Sequence, residues 1–469
     1  MNTIISKIRT LIHQTENLID FEESVRTLMY EVFTSLLGDV FTDMNTVIVK
    51  KKQAEGWTVE KNDDREIQFT FGGVRFTHTL MHDLEGRAHY PFDEWTGFKK
   101  YKRRSPFVDV KVAEMAAEGT YRQVTHVLKE WTAVDISHTT VGDIVREVGK
   151  AQAKADEDMV IDLEESATLP EGKEVEYLYA EADGVFVRGT EKNKSHEVSH
   201  AIVYEGWDKS GERVSLRNQK VLMTTKSTPE FWKEVQALTA NHYSLEKTQV
   251  VTNSDGGAGY TAEKFQEAFS QSEYPVLNQL DPYHVFQGLN RALGAKQSDY
   301  KSELRKALEN HDLEHFNLWL DTSESTLEDS KKIEKVGKFR MYILNNWDRI
   351  LNWKKRIEKP PEDARNLGAM ESNQRKVTYR MKKRGMHWSA EGAEAMVKVK
   401  QGILNGTLRE VYLEDLKRSA RKQREVKKVI RMSSYLRQPT RPSIGAKQGS
   451  IGLYAPHSSA IGKLAKSFR

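Results

Sequence analysis

Val175-Glu-Tyr-Leu-Tyr-Ala-Glu-Ala-Asp183-Gly184 alternates in the manner of a β-strand and closes on Asp-Gly. A period of two marks a strand with two different faces, so the carboxylate of Asp183 is expected at a strand end. Two further strand-like runs follow at 196–207 and 213–223, then a helical run over 228–243. Thr248-Gln-Val-Val-Thr-Asn-Ser-Asp255-Gly256 repeats the pattern of a strand ending in Asp-Gly. Beyond it come a helix over 262–269, a short strand ending at Asp281 and a helix over 283–293.

The order β-β-β-α-β-α-β-α is that of a ribonuclease-H-like sheet. Open α/β sheets gather ligands at the carboxyl ends of their strands, where both aspartates are expected. Oxygen donors in such a place suit Mg²⁺, a hard cation that takes few protein ligands. A third acid, Glu371, falls far downstream on a helix expected to begin near Glu362 and end around Gly385. Two-metal phosphoryl transfer needs carboxylates converging from distant elements. Asp-Gly is also a common turn, so spacing alone leaves plain turns open at both aspartates.

The whole chain, at 469 residues, has room for two or three domains. It is 38% hydrophobic with a formal net charge of +4 and a pI near 8.7. With no cysteine, disulfides and thiolate zinc sites are excluded, and a cytoplasmic protein is expected. No uninterrupted apolar run of the roughly 20 residues a membrane span needs is found.

Upstream, residues 1–60 read as helical. Val25, Leu28, Met29, Val32, Phe33, Leu36, Leu37 and Val40 recur at helical spacing, either as core of their own domain or as a self-association surface. A small hairpin is expected within 61–105, with Gly72-Gly73 as its turn, followed by the basic run Lys99-Lys100-Tyr101-Lys102-Arg103-Arg104. Residues 106–155 carry two apolar stripes, Val124/Val127/Leu128/Trp131 and Val141/Ile144/Val145/Val148, with Ser137 as a candidate N-cap between them. This is either a helix-turn-helix with His138, Thr139, Thr140 and Arg146 facing DNA, or an ordinary helical hairpin. Residues 151–172 read as a helix running into a linker.

The sheet region spans 173–296, an all-helical stretch 297–358, and the segment with Glu371 359–400. Residues 401–469 hold a helix dense in cations (Lys417, Arg418, Arg421, Lys422, Arg424, Lys427, Lys428, Arg431) and, from Pro439, a cationic tail. Such charge density calls for an anionic partner, and nucleic acid fits it.

Two motifs need weighing. His196-Glu197-Val198-Ser199-His200 matches HExxH, but zinc proteases need that motif on a helix. On the expected strand the imidazoles stand about 13 Å apart, too far for one zinc. Asp281-Pro-Tyr-His284 either supports the metal ligands from behind or positions DNA, or is an N-cap with a histidine nearby.

An ordered set of residues resembles the ISLre2 family of bacterial insertion-sequence transposases, grouped with UPF0236-type proteins. The set comprises Phe71-Gly-Gly-Val74, Ile136-Ser-His-Thr-Thr-Val141, Glu181-Ala-Asp183-Gly184, Val203-Tyr-Glu-Gly206, Phe231-Trp232 and Ser254-Asp255-Gly256. Asp281-Pro-Tyr-His284, Met370-Glu371-Ser372 and Arg380-Met-Lys-Lys-Arg-Gly-Met-His-Trp-Ser389 complete it. The resemblance implies a DDE transposase: an α/β ribonuclease-H-like catalytic domain with an all-α insertion. An N-terminal helical and helix-turn-helix DNA-binding region and a basic C-terminal tail would flank it. It further implies that Asp183, Asp255 and Glu371 hold two Mg²⁺ (or Mn²⁺) and that Asp281 and His284 support them. The partners implied are double-stranded DNA, namely element ends and target, and a second copy of the chain.

Arg375, Lys376, Arg380, Lys382, Lys383 and Arg384 lie near Glu371 and are expected to neutralise phosphates. Two departures touch the surroundings of the triad: Gly184 stands where the family pattern leads one to expect an acid, and Tyr260 lies farther from Asp255 than expected. The alternatives are a ribonuclease-H-like nuclease without strand transfer and a non-catalytic DNA-binding regulator.

Overall fold

A computed structural model describes residues 2–166, 171–294 and 297–422. The expected cationic helix beyond Lys422 and the tail from Pro439 lie outside these residues.

Two helices open the chain, α1 (Asn2–Gln14) and the 37-residue α2 (Leu18–Ala54), the latter capped by the Asn17 side chain. A long antiparallel hairpin follows, β1 (Thr58–Phe69) with β2 (Gly72–His82), then β3 (Ala88–His89) and α3 (Pro91–Thr96). Phe69 pairs with Gly72, so the turn is Thr70-Phe71 and the two glycines expected to form it belong to the strand. Leu37, Phe41, Met44 and Ile48 of α2 pack on Ile67, Val74, Phe76 and Phe92. Gly38 permits this approach: a Cβ there would stand 2.4 Å from the Arg75 carbonyl oxygen. Among the described residues, α2 alone is long and apolar enough to cross a membrane.

Next come α4 (Pro106–Glu118), α5 (Tyr121–Trp131) and α6 (His138–Glu165). The stripes place α5 and the start of α6 correctly, and Ser137 caps α6 by accepting from the Thr140 amide at 3.1 Å. The second helix is far longer than its stripe, however, and the expected boundary at 155 falls inside it. Its buried face (Val141, Ile144, Val145, Val148) joins the main core.

After β4 (Lys173–Glu174) the central sheet begins with β5 (Tyr177–Arg188) and β6 (Ser195–Tyr204). The third expected strand is two: β8 (Arg213–Leu216) turns back on β7 (Trp207–Ser210) as a side hairpin, and only β9 (Lys220–Thr224) joins the sheet. Asn218, with φ of 49°, separates them. Then follow α7 (Thr228–His242), β10 (Tyr243–Ser244), β11 (Gln249–Ser254), α8 (Ala262–Ala268), β12 (Leu277–Leu280) and α9 (Pro282–Leu293). The sheet order is β12-β11-β5-β6-β9. β5 pairs with β6 and β6 with β9 in antiparallel fashion, while β11 and β12 run parallel to β5.

Strand alternation gives the sheet two apolar faces. Leu178, Ala180, Val203 and Val250 meet Phe231, Val235 and Phe265 on one side. Tyr179, Val198, Ile202 and Met223 meet residues of α6 and of the last helices on the other.

Helices α10 (Ser298–Asn310), α11 (Leu313–Ser325), α12 (Ser330–Asn345) and α13 (Trp347–Ile350) build a separate core with α9, around Leu289, Phe316, Leu320 and Ile343. The helix expected from near Glu362 starts only at Ala369: α14 (Ala369–Met381) follows a stretch without helix, and Gly368 before it has a φ of 128°. α15 (Ala390–Asn405) and α16 (Leu408–Lys422) close the described chain. The ammonium of Lys398 on α15, wholly buried, lies 2.6 Å from Asp156 on α6 and 2.8 Å from Glu234 on α7.

Candidate functional site

β5 and β11 pair in parallel from Tyr177–Gln249 to Glu181–Asn253. Extending that register by two residues brings Asp183 level with Asp255. Neighbouring strands lie about 4.8 Å apart, so the two aspartates stand side by side where parallel pairing stops. Asp255 follows the end of its strand as expected. Asp183 does not: β5 continues to Arg188, paired there only with β6.

Asp183 is tied to its own strand and to α14, and Asp255 to its own loop. Asp183 Oδ1 accepts from the Gly184 amide at 2.7 Å, and Oδ2 accepts from Gln374 Nε2 at 3.3 Å. Burial pushes the Asp183 carboxyl above the usual range, and the charge of Asp255 adds to the rise. Asp255 Oδ1 accepts from the Gly257 amide at 2.8 Å, and its carbonyl accepts from the Tyr342 hydroxyl at 2.8 Å. Beneath the loop, Arg349 donates to Asn278 Oδ1 at 2.7 Å and to Ser254 Oγ at 3.0 Å. The helical block therefore braces the second aspartate.

At Asp281 the N-cap reading holds, and the histidine is held beside it. Its Oδ1 caps α9 through the Tyr283 amide (3.0 Å), while Oδ2 meets His284 Nδ1 at 2.8 Å. That hydrogen bond raises the imidazole pKa, and the charges of Asp255 and Asp183 raise it further. His284 is thus drawn into the field of the aspartate pair.

Glu181, two residues before Asp183 and on the same face of β5, was not among the expected site residues. It is completely buried. Its carboxylate accepts from the amides of Gly368, Ala369 and Met370 at 3.0–3.2 Å and from the Tyr204 hydroxyl at 2.7 Å. An anion at a helix N-terminus satisfies amides that have no intrahelical partner. Here it fastens the start of α14 to the strand of Asp183. The available signal was an acid alternating with Asp183 inside an apolar strand, which invites a specific partner.

Glu371 sits in the first turn of α14, one turn before Gln374. Its carboxylate is about half exposed and lies 3.7 Å from Arg375. Among the described residues no three His, Cys, Asp or Glu side chains stand close enough together to hold a metal ion. The donor chemistry of Asp183 and Asp255 fits a hard cation: two oxygen donors, one raised by burial and by the other's charge. The third expected carboxylate, on the adjoining helix, does not complete a group of three with them.

The cations near Glu371 divide. Arg375, Lys376, Tyr379, Lys383 and Lys400 line a cleft of about 380 Å³ together with Glu118, Ile403 and Leu404. Burial lowers the pKa of both Lys376 and Lys400. Lys382 is exposed. Arg384 donates to Gln123 Oε1 and the Tyr379 hydroxyl, each at 3.1 Å. Arg380 departs from expectation: it is buried, donates to the Ala116 carbonyl at 2.9 Å and lies over Tyr121 and Trp388. Its place is in the core, which withdraws it from phosphate contact.

His138 and Thr139 are exposed in the first turn of α6, Thr140 is half-buried beside Ser137, and Arg146 pairs with Asp143. Among the described residues no hydrogen bond or ion pair joins these four to the aspartate pair. The HExxH residues lie on β6, a strand. His196 Nε2 is 3.1 Å from the Trp388 carbonyl. His200, opposite Asp183 in register, is wholly buried with neither ring nitrogen partnered. Tyr260 reaches behind this strand to Ser199 Oγ (3.0 Å) and Glu197 (3.2 Å), and Gly184 gives it room.

This α/β chain, with its acidic pair near the carboxyl ends of two neighbouring parallel strands, belongs to the uncharacterised protein family UPF0236, whose pattern matches residues 11–417. It is 30% identical over 465 residues to a UPF0236 protein in the vanSb 3′ region of Streptococcus gallolyticus, covering 99% of each chain. A UPF0236 protein of Caldanaerobacter subterraneus subsp. tengcongensis is 24% identical over 405 residues, 86% of this chain and 81% of the relative. Another from the same organism, 24% identical over 401 residues (84% of this chain, 80% of the relative), has a name that joins eleven locus designations.

Proposed function

We propose that the five-stranded sheet is a ribonuclease-H-like catalytic core and that the chain is a DDE transposase. In this reading it binds insertion-sequence ends, cleaves a DNA strand and transfers its end to target DNA. The observation that carries the reading is the parallel pairing of β5 with β11, which leads Asp183 and Asp255 to the same end of the sheet, with Glu181 fastening the start of the helix of Glu371 to β5. The strand order, with three antiparallel strands followed by two parallel ones, supports the fold assignment. A relative named for eleven loci of one genome supports mobility, since an element that copies itself leaves one protein at many positions.

The residues that would hold Mg²⁺ or Mn²⁺ are Asp183, Asp255 and Glu371. When bound, such ions supply charge that activates an attacking oxygen and stabilises a leaving one. The chain itself does three things. Glu181 holds α14 against β5. Arg349 and Tyr342 hold the Asp255 loop. Arg375, Lys376 and Lys383 meet backbone phosphates, adding the salt-dependent part of affinity. His284, its proton favoured by Asp281, is placed to orient a phosphate oxygen near the pair. The DNA partner, the assembly of two or more copies, and end reading by α5 and α6 belong to the same proposal.

The alternative of a non-catalytic regulator draws on one observation, the Glu371 carboxylate facing Arg375. Cleavage of a labelled duplex carrying an element end, with Mg²⁺ or Mn²⁺, separates the two. Metal-dependent nicking supports the transposase, and tight binding without nicking supports the regulator. Cleavage with no joining to a target duplex would support the nuclease instead.

A further inference from the structure

The long N-terminal helix has two apolar faces, and the structure covers one. Leu37, Phe41, Met44 and Ile48 lie on the hairpin side. On the flank about 80° round the helix from them, Met29 is 65% exposed, Phe33 49%, Leu36 58%, Val40 42% and Val47 67%; Phe33 also meets Phe71 of the hairpin turn edge-on at 4.9 Å. These five fall at alternating steps of four and three, with Asp43 filling the one polar step before Val47. That is the spacing of a coiled-coil seam.

We propose that this bare face of α2 pairs with the same face of a second copy of the chain, antiparallel, about a two-fold axis level with Gly38. Antiparallel pairing sets Met29 against the partner's Val47, Phe33 against the partner's Asp43 and Leu36 against the partner's Val40. Every layer then follows from one register. An isologous two-fold contact needs this self-complementarity.

Charge decides the direction. Glu22 continues the seam at the N-terminal end, while Lys50 and Lys51 stand at the C-terminal end, all exposed. Antiparallel packing brings Glu22 of one copy within a turn of Lys50 and Lys51 of the other. Parallel packing would set lysine on lysine and Asp43 on Asp43, which is repulsive at such flanking positions. Arg26, the other cation on this face, is drawn aside to the Glu130 carbonyl at 3.0 Å. Asp43 within the stripe and charges at both ends also favour a protein partner over a bilayer. The inference rests on α2 alone and does not require the catalytic reading.

The absence of cysteine makes the geometry directly readable. Full-length L36C and V40C, mixed and mildly oxidised, are expected to give a disulfide dimer. L36C by itself is not, because in the antiparallel register its own copies are a layer apart, beyond the roughly 7 Å Cα separation a disulfide spans. In sedimentation, wild type is expected to be dimeric, and L36E is expected to weaken the dimer by about tenfold or more. E22K is expected to weaken it and the added change K51E to restore it. A monomeric wild type overturns the proposal. So does disulfide formation by L36C alone, which reports a parallel seam. Binding of a monomeric chain to phosphatidylcholine–phosphatidylglycerol vesicles, lost in L36E, would assign the face to a membrane and overturn it equally.

Discussion

Glu181 Oε2 accepts the amide hydrogen of Met370 at 3.0 Å, so the residue preceding Glu371 is fixed to the strand that bears Asp183. Two acids far apart in sequence are thereby held in one frame by a third that is itself wholly buried. Removing it should loosen the frame. Glu181→Ala strips an acceptor from three amides and a tyrosine hydroxyl, and is expected to lower unfolding free energy by about 3 kcal/mol in urea. Glu181→Gln keeps an acceptor and should recover part of that stability. If both variants unfold like wild type, the latch is not a support of α14.

The cationic cleft and the buried arginine should separate in salt titrations. Lys376→Ala or Lys383→Ala is expected to reduce the slope of log affinity for duplex DNA against log salt by about 1 each. Arg380→Ala should leave that slope unchanged in whatever protein still folds, and should instead lower the melting temperature by removing a buried side chain that fills the core between Tyr121 and Trp388.

His200 makes stability sensitive to acid. Burial pushes its pKa from 6.5 down to about 3, so the folded chain resists a proton that the unfolded chain accepts. Stability is therefore intact above pH 6.5 and falls as pH drops below it, by up to about 1.4 kcal/mol per unit until pH nears 3. A His200→Leu variant, which loses no hydrogen bond, should show a shallower decline between pH 6.5 and 4.5 in urea midpoints. An unchanged decline would place the acid sensitivity elsewhere.

Lys398 holds two buried carboxylates, Asp156 and Glu234, from different helices. Lys398→Met leaves both without their cation and is expected to cost about 3–5 kcal/mol. The triple change of Lys398, Asp156 and Glu234 to apolar residues of similar size should recover most of it, measured by the same unfolding curves.

Much of the sheet was legible because its strands are apolar runs of period two, and because β11 ends just before Asp255-Gly256. Asp183 was misplaced as a strand end because nothing local announces that β5 outruns its parallel neighbour. The split of 213–223 into two strands turns on Asn218 in a left-handed conformation, a choice made by the side hairpin. Glu181, Gln374 and Arg349 were missed for one reason: each acts through partners far along the chain, and no local pattern encodes them. Arg380 looked like one more cation in a basic run, and only the aromatic rings of Tyr121 and Trp388 reveal that it is buried. α4, rich in alanine and valine, was overlooked between the basic run and the first stripe.

The central claim is that Asp183, Asp255 and Glu371 act together on DNA. Its most direct test is cleavage of an end-bearing duplex by wild type, Asp255→Ala and Glu371→Ala in Mg²⁺ or Mn²⁺, with circular dichroism confirming that each is folded. The account predicts metal-dependent nicking at the element end that both substitutions abolish. Nicking that survives Asp255→Ala would contradict it.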